Sequence, residues 1–90
     1  MISRMYVVYD QAVKAFVTPH FCRSHGEAER NFKSAVNDPK TGHLHSSPEQ
    51  FTLFYVADFD ESTGLVSSLS APQSVVSAIQ CKESQELRAV

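Results

Sequence analysis

Apolar positions along this chain follow three different rhythms, and each predicts a different element. Met5-Tyr6-Val7-Val8-Tyr9 is an unbroken β-branched and aromatic run, too short for a stable helix, and predicts a central strand. Asp10-Gln11-Ala12 predicts a turn, because the Asp10 carboxylate can accept from the backbone ahead of it. Residues 13–18 predict a second strand of an N-terminal hairpin, ended by Pro19, which has no amide to give a ladder. The rhythm then becomes helical. Ser24-His25-Gly26-Glu27 has the form of a capping box, with Ser24 accepting from the Glu27 amide and Glu27 reaching back to the Ser24 amide. Ala28, Phe32, Ala35 and Val36 form one apolar stripe, and Glu29 and Lys33 face water at i,i+4. Asn37-Asp38-Pro39 stops the helix, since the residue before proline is pushed out of the helical region.

Residues 39–50 are polar and carry Pro39, Gly42 and Pro48, which predicts a mobile loop. The third rhythm is alternation. Phe51, Leu53, Tyr55 and Ala57 point one way, and Thr52, Phe54, Val56 and Asp58 the other. Both sets are largely apolar, so this strand is expected to be central and partly covered on both sides. Asp60 to Gly64 predicts a hairpin turn, with Gly64 at positive φ. Residues 65–69 return as a fourth strand, broken by Ser70-Ala71-Pro72. Residues 74–79 fit either a helical turn or a short edge strand, and 79–82 are a possible fifth strand.

The predicted fold class is therefore α+β, in ββαββ order: a four- to five-stranded, mostly antiparallel sheet with one main helix on one face. Ninety residues make one domain, because two cores of that size would each bury too little surface. Residues 1–83 are assigned to it and 84–90 to a polar C-terminal tail. One helix cannot cover a whole sheet face, and uncovered apolar sheet usually marks an interface, so a homo-oligomer, most economically a homodimer, is expected.

Charge adds a mild asymmetry. Residues 1–45 hold six Lys/Arg against four Asp/Glu, a balance of +2, and residues 46–90 hold two against six, a balance of −4. A weakly basic half can face phosphate while the acidic half faces away. No apolar run approaches the ~20 residues of a membrane span, and the N-terminal residues lack the features of a signal peptide, so a cytoplasmic protein without membrane contact is expected. In that compartment Cys22 and Cys81 are expected as reduced, semi-buried small residues.

Candidate chemistry is sparse. Cys22 lies near His20 and His25, and Asp10 or Asp38 could orient a histidine. No strained nucleophile turn or phosphate-cradling glycine loop accompanies them, so no catalytic residues and no enzyme are expected. His20-Phe21-Cys22 and His43-Leu44-His45 pair metal ligands at i,i+2, but the spacings match no common zinc module, and neither metal nor cofactor is expected. Nucleic acid has better footing. Arg30 and Lys33 share a helix flank, Arg4 and Lys14 can sit side by side on the hairpin, and Lys40 lies on the loop. Tyr6 and Phe16, with Tyr9, offer rings for stacking on single-stranded bases.

Several stretches together resemble a known family. Met5-Tyr6-Val7-Val8-Tyr9-Asp10, Ala28-Glu29-Arg30-Asn31-Phe32 and Ala35-Val36-Asn37-Asp38-Pro39 are similar, in order and spacing, to the small nonstructural protein of gokushoviruses, the single-stranded DNA phages of the Microviridae. Pro48-Glu49-Gln50-Phe51-Thr52-Leu53-Phe54 and Asp58-Phe59-Asp60-Glu61-Ser62-Thr63-Gly64 extend the likeness, which covers roughly residues 4–83. The resemblance implies a nonstructural protein in the host cytoplasm, described as DNA-binding and tied to viral DNA synthesis or packaging. It supplies no catalytic residue. The expectation is then weak, sequence-neutral binding of single-stranded DNA by Arg4, Lys14, Arg30, Lys33 and Lys40, with stacking on Tyr6 or Phe16. The alternative is an adaptor for a viral replication or capsid protein or a host factor.

Overall fold

A computed structural model of the protein describes residues 1–82, and the predicted tail at 84–90 lies outside them. Strand β1, Ile2–Asp10, starts from the apolar run read above. It turns at Asp10, whose carboxylate accepts from the Ala12 amide at 3.0 Å. The turn closes through Lys14 at φ 55°, a left-handed conformation uncommon outside glycine. The predicted second strand is in fact two pieces, β2 at Ala15–Phe16 and β3 at His20–Cys22, both antiparallel to β1. Pro19 explains the gap between them, since it cannot donate to the ladder.

Helix α1 spans His25–Val36 and is capped as expected by Ser24, whose Oγ accepts from the Glu27 amide at 3.1 Å. The other half of the capping box is shifted by one residue, with the Glu27 carboxylate accepting from Arg23 rather than from Ser24. Ala28, Phe32 and Val36 are its buried stripe.

Residues 39–50 are not a loose loop. They form a 3₁₀ turn at Pro39–Thr41, a one-turn helix α2 at His43–Ser46 and a second 3₁₀ turn at Pro48–Gln50. Both prolines sit at the start of a turn, where a missing amide costs nothing. The Thr41 hydroxyl donates to the Ala35 carbonyl at 2.7 Å, tying the segment back to α1.

Strand β4, Phe51–Asp60, lies along β1, and β5, Leu65–Ser77, along β4. β5 runs on through Ser70-Ala71-Pro72 instead of stopping there. Residues 69–72 bulge out opposite Val56, and an edge strand tolerates proline in such a bulge. The chain then turns into α3, Ala78–Cys81, so the expected fifth strand at 79–82 is a helical turn and the fifth strand is β3.

All pairings are antiparallel, in the order β2-β1-β4-β5 with β3 also on β1. This is the α+β sheet with one main helix. The core joins Tyr6, Val8, Leu53 and Tyr55 to Ala28, Phe32 and Val36, with Ala78 of α3 closing one side. Length decides how far that cover reaches. Ten residues of β4 span ~33 Å at about 3.3 Å each. The twelve of α1 span only ~18 Å at about 1.5 Å each. The ends of β1, β4 and β5 therefore extend beyond the helix. The molecule measures 50 × 28 × 21 Å, and its radius of gyration is 14.2 Å. A compact chain of this length would have about 12 Å.

Candidate interaction surface

Directly opposed residues of an antiparallel pair project to the same side of the sheet. Tyr6 faces Tyr55 and Val8 faces Leu53 on the helix side. The alternate set lies on the other side: Val7 opposite Phe54, Tyr9 between Thr52 and Phe16, Met5 between Ala57 and Phe21, and Ser3 opposite Phe59. β5 adds Val66, Ser68, Ser74 and Ser77. Among the described residues no helix covers this side, and charge reaches it only at its margins, where Ser3 donates to the Glu61 carboxylate and Lys14 flanks Phe16.

Its rings form two groups. Tyr9 and Phe16 lie 4.8 Å apart and Phe16 and Phe54 5.8 Å apart, between centroids. Phe21 and Phe59 lie 5.7 Å apart. Phe16 and Phe21 are 48% and 53% exposed, so their ring faces are open to a partner.

The helix side is the polar one, and a bulge makes it so. Met5 pairs with Ala57 but Tyr6 pairs with Tyr55, so Val56 is skipped. The slip reverses the alternation beyond it. Ala57, expected beside Tyr55, joins the bare side, and Asp58, expected there, comes opposite Arg4 on the helix side. Asp58 accepts from the Tyr55 hydroxyl, which raises the Tyr55 pKa, and burial adds to the rise. The Arg4 guanidinium sits 5.5 Å above the Tyr55 ring, a cation–π contact, and donates to His25 Nδ1 at 3.3 Å. Tyr6 hydrogen-bonds the same nitrogen, and burial raises its pKa as well.

This placement divides the candidate DNA-binding residues. Tyr6 is 1% exposed and offers no ring face to a base. Arg4 is half-buried and held by Tyr55 and His25, far from free contact with phosphate. Arg30, Lys33 and Lys40 are exposed on and after α1, on the opposite side of the sheet from Phe16. Of the candidate cations, only Lys14 lies beside an exposed candidate ring, Phe16, on the β1–β2 hairpin.

The histidines and cysteines do not assemble either. The Cys22 thiol is buried, raised in pKa by that burial and by the nearby Glu27 carboxylate, and it accepts from Asn31 Nδ2 at 3.9 Å. Cys81 is half-buried and also raised, mainly by burial. Asp10 and Asp38 accept from the Ala12 and Lys40 amides, not from a histidine. Among the described residues no group of three His, Cys, Asp or Glu could hold a metal ion. No described helix is long and apolar enough to cross a membrane. A cleft of 590 Å³ opens beside α1, floored by Val8, Phe32, Phe51 and Leu53, with exposed His20, Asn31 and His43 at its rim.

A model of the phage ORF5 protein family matches residues 3–81. The chain belongs to that family. The match takes in the sheet, α1 and the bare face together, and it makes this a bacteriophage protein. No curated protein matches the chain, and no solved structure does.

Reading by residue type found Phe16 and Tyr9 of the bare-face rings and overlooked Phe21 and Phe59. The usable signal was parity. Tyr6 and Tyr9 are three apart, and positions an odd number apart on one strand face opposite ways. Only one of the two could be open once the helix had chosen a side.

Proposed function

We propose that this phage protein is a non-enzymatic accessory factor that docks another protein on its helix-free sheet face. The observation that carries the reading is the aromatic surface of that face, charged only at its margins, with Tyr9, Phe16 and Phe54 in mutual contact and Phe21 with Phe59 beyond them. Cores of protein interfaces are depleted of charge and enriched in aromatic residues. A binding site for a polyanion needs cations beside its rings, and here the candidate cations other than Lys14 lie on the other side of the sheet. The resemblance to gokushovirus nonstructural proteins favours a partner in infection: a viral replication or capsid protein, or a host factor in the cytoplasm.

Weak single-stranded DNA binding keeps one specific support, Lys14 on the hairpin that carries Phe16. A strand stacking there and reaching Arg30, Lys33 and Lys40 would have to pass around the sheet edge. If a protomer neutralised about three phosphates, log affinity would fall against log salt with a slope of about −2.

A photo-crosslinking amino acid placed at Phe16, and in a second variant at Arg30, separates the two readings in infected cells. Docking predicts a discrete protein adduct at position 16, unchanged by nuclease, and none at position 30. Adducts that nuclease removes favour DNA. A folded protein that gives no adduct at position 16 ends the docking reading.

A further inference from the structure

We infer that β5 is a self-pairing edge, through which two copies of this chain join their sheets. This goes beyond the docking reading and stands without it. β5 closes the strand order β2-β1-β4-β5, and its outer edge has no strand partner among the described residues. Such an edge presents a row of amides and carbonyls to any other strand, and proteins that stay monomeric usually guard it with charges. β5 has none. Residues 62–81 are a run of 20 without Asp, Glu, Lys or Arg, the longest in a chain that is 20% charged.

The geometry also fixes which stretch can pair. From Leu65 to Ser68 the ladder to β4 is regular, and from Leu69 the bulge and Pro72 disrupt it. Two identical antiparallel strands related by a two-fold axis perpendicular to the sheet must pair residues of equal parity, so that opposed side chains share a face. Centring the axis on Ser67 uses the regular stretch and takes in Leu69, the first residue of the bulge. Ser67 then meets Ser67, Val66 meets Ser68, and Leu65 meets Leu69 twice over. Leu65 is 67% exposed and Val66 50% exposed in the single chain, while Leu69 is half-buried against the core. The pairing therefore covers apolar surface that this chain leaves open.

Charge names the occupant as a second copy. The edge carries no charge that an acidic or basic partner would recognise, and a copy brings no like charge against it. The joined sheet has the order β2-β1-β4-β5-β5-β4-β1-β2. Both bare faces lie on one side of it and both α1 helices on the other, because a perpendicular two-fold axis preserves the face.

Sedimentation velocity across a dilution series tests this, with Ser67→Lys and Ser67→Glu made separately. The expected result is a concentration-dependent dimer of the 10.0 kDa wild-type chain and monomers for both variants, each with unchanged circular dichroism. Mixing the two variants restores a dimer, because Lys and Glu then face each other at the axis. A Ser67→Cys variant gives an independent reading: mild oxidation links two chains at that position, where opposed Cβ atoms lie about 5 Å apart. A wild-type monomer throughout the series overturns the inference. So does a Ser67→Lys protein that remains dimeric, or a Ser67→Cys protein that does not cross-link although the chain dimerises, since the copies then meet elsewhere.

Discussion

The two faces of this sheet are made from alternate residues of the same strands, yet they have opposite characters. On the helix side Tyr6, Val8, Leu53 and Tyr55 are shut in by Ala28, Phe32 and Val36, and the uncovered end holds Arg4, His25 and Asp58 in one polar contact network. On the other side the rings are larger in number, have charge only at their margins and are half open to water. A helix of twelve residues can satisfy only one side of strands this long. Stability is concentrated where the helix lies, and contact with other molecules is left to the face without one.

The sharpest way to break that contrast is to remove its keystone. Phe32 is 5% exposed at the centre of the α1 stripe. Phe32→Ala is expected to destabilise the fold by about 3–5 kcal/mol, a large part of the total for a domain of this size. Chemical denaturation measures it. A loss below about 1 kcal/mol would mean that α1 rests only loosely on the sheet, and the asymmetry between the faces would lose its basis.

The next effect concerns the polar end of the helix side. Tyr55→Phe removes the hydroxyl that donates to Asp58 and is expected to cost about 1.5 kcal/mol. The pH dependence has a definite sign. The fold raises the pKa of Tyr55 above the ordinary phenol value, through Asp58 first and burial second, and raises that of Tyr6 through burial. Their neutral forms are favoured in the folded state, so this stability is complete below the unfolded value and is lost as pH rises through the folded one. Denaturation midpoints should fall on the alkaline side of pH 10, and less steeply in Tyr55→Phe. Equal slopes for both proteins would show that Asp58 does not hold the phenol.

The sheet and the helix were legible because their signals are local. The run at Met5 to Tyr9, the stripe on Ala28, Phe32 and Val36, and the Ser24 cap each follow from neighbours in the chain. What was not legible depends on partners distant in sequence. Residues 39–50 read as a mobile loop, whereas Pro39 and Pro48 each start a 3₁₀ turn, the first tied to α1 through Thr41 and the second packed against α3. Pro72 read as a strand end, whereas the bulge opposite Val56 absorbs it. The second bulge, between Ala57 and Tyr55 against β1, exchanged the faces of Ala57 and Asp58, and no spacing rule within β4 announces it. The candidate surface suffered most. Cations and rings were grouped by type, and the sheet then set Arg30 and Lys33 on one side and Phe16 on the other.

The smallest effect on the fold is the most telling for the comparison. Phe16 is 48% exposed and touches only Tyr9 and Phe54 among the rings, so Phe16→Ser loses two aromatic contacts and little burial. The expected cost is about 1 kcal/mol, well under that of Phe32→Ala. Docking on the bare face should nevertheless be lost, because the open ring is its anchor and truncating such an anchor removes a large share of binding energy. Denaturation together with partner capture, using the protein found by crosslinking, checks both halves. If Phe16→Ser unfolds the chain as readily as Phe32→Ala, the rings are a second core. The face would then hold the molecule together, and the separation of a stabilising side from a contacting side would fail.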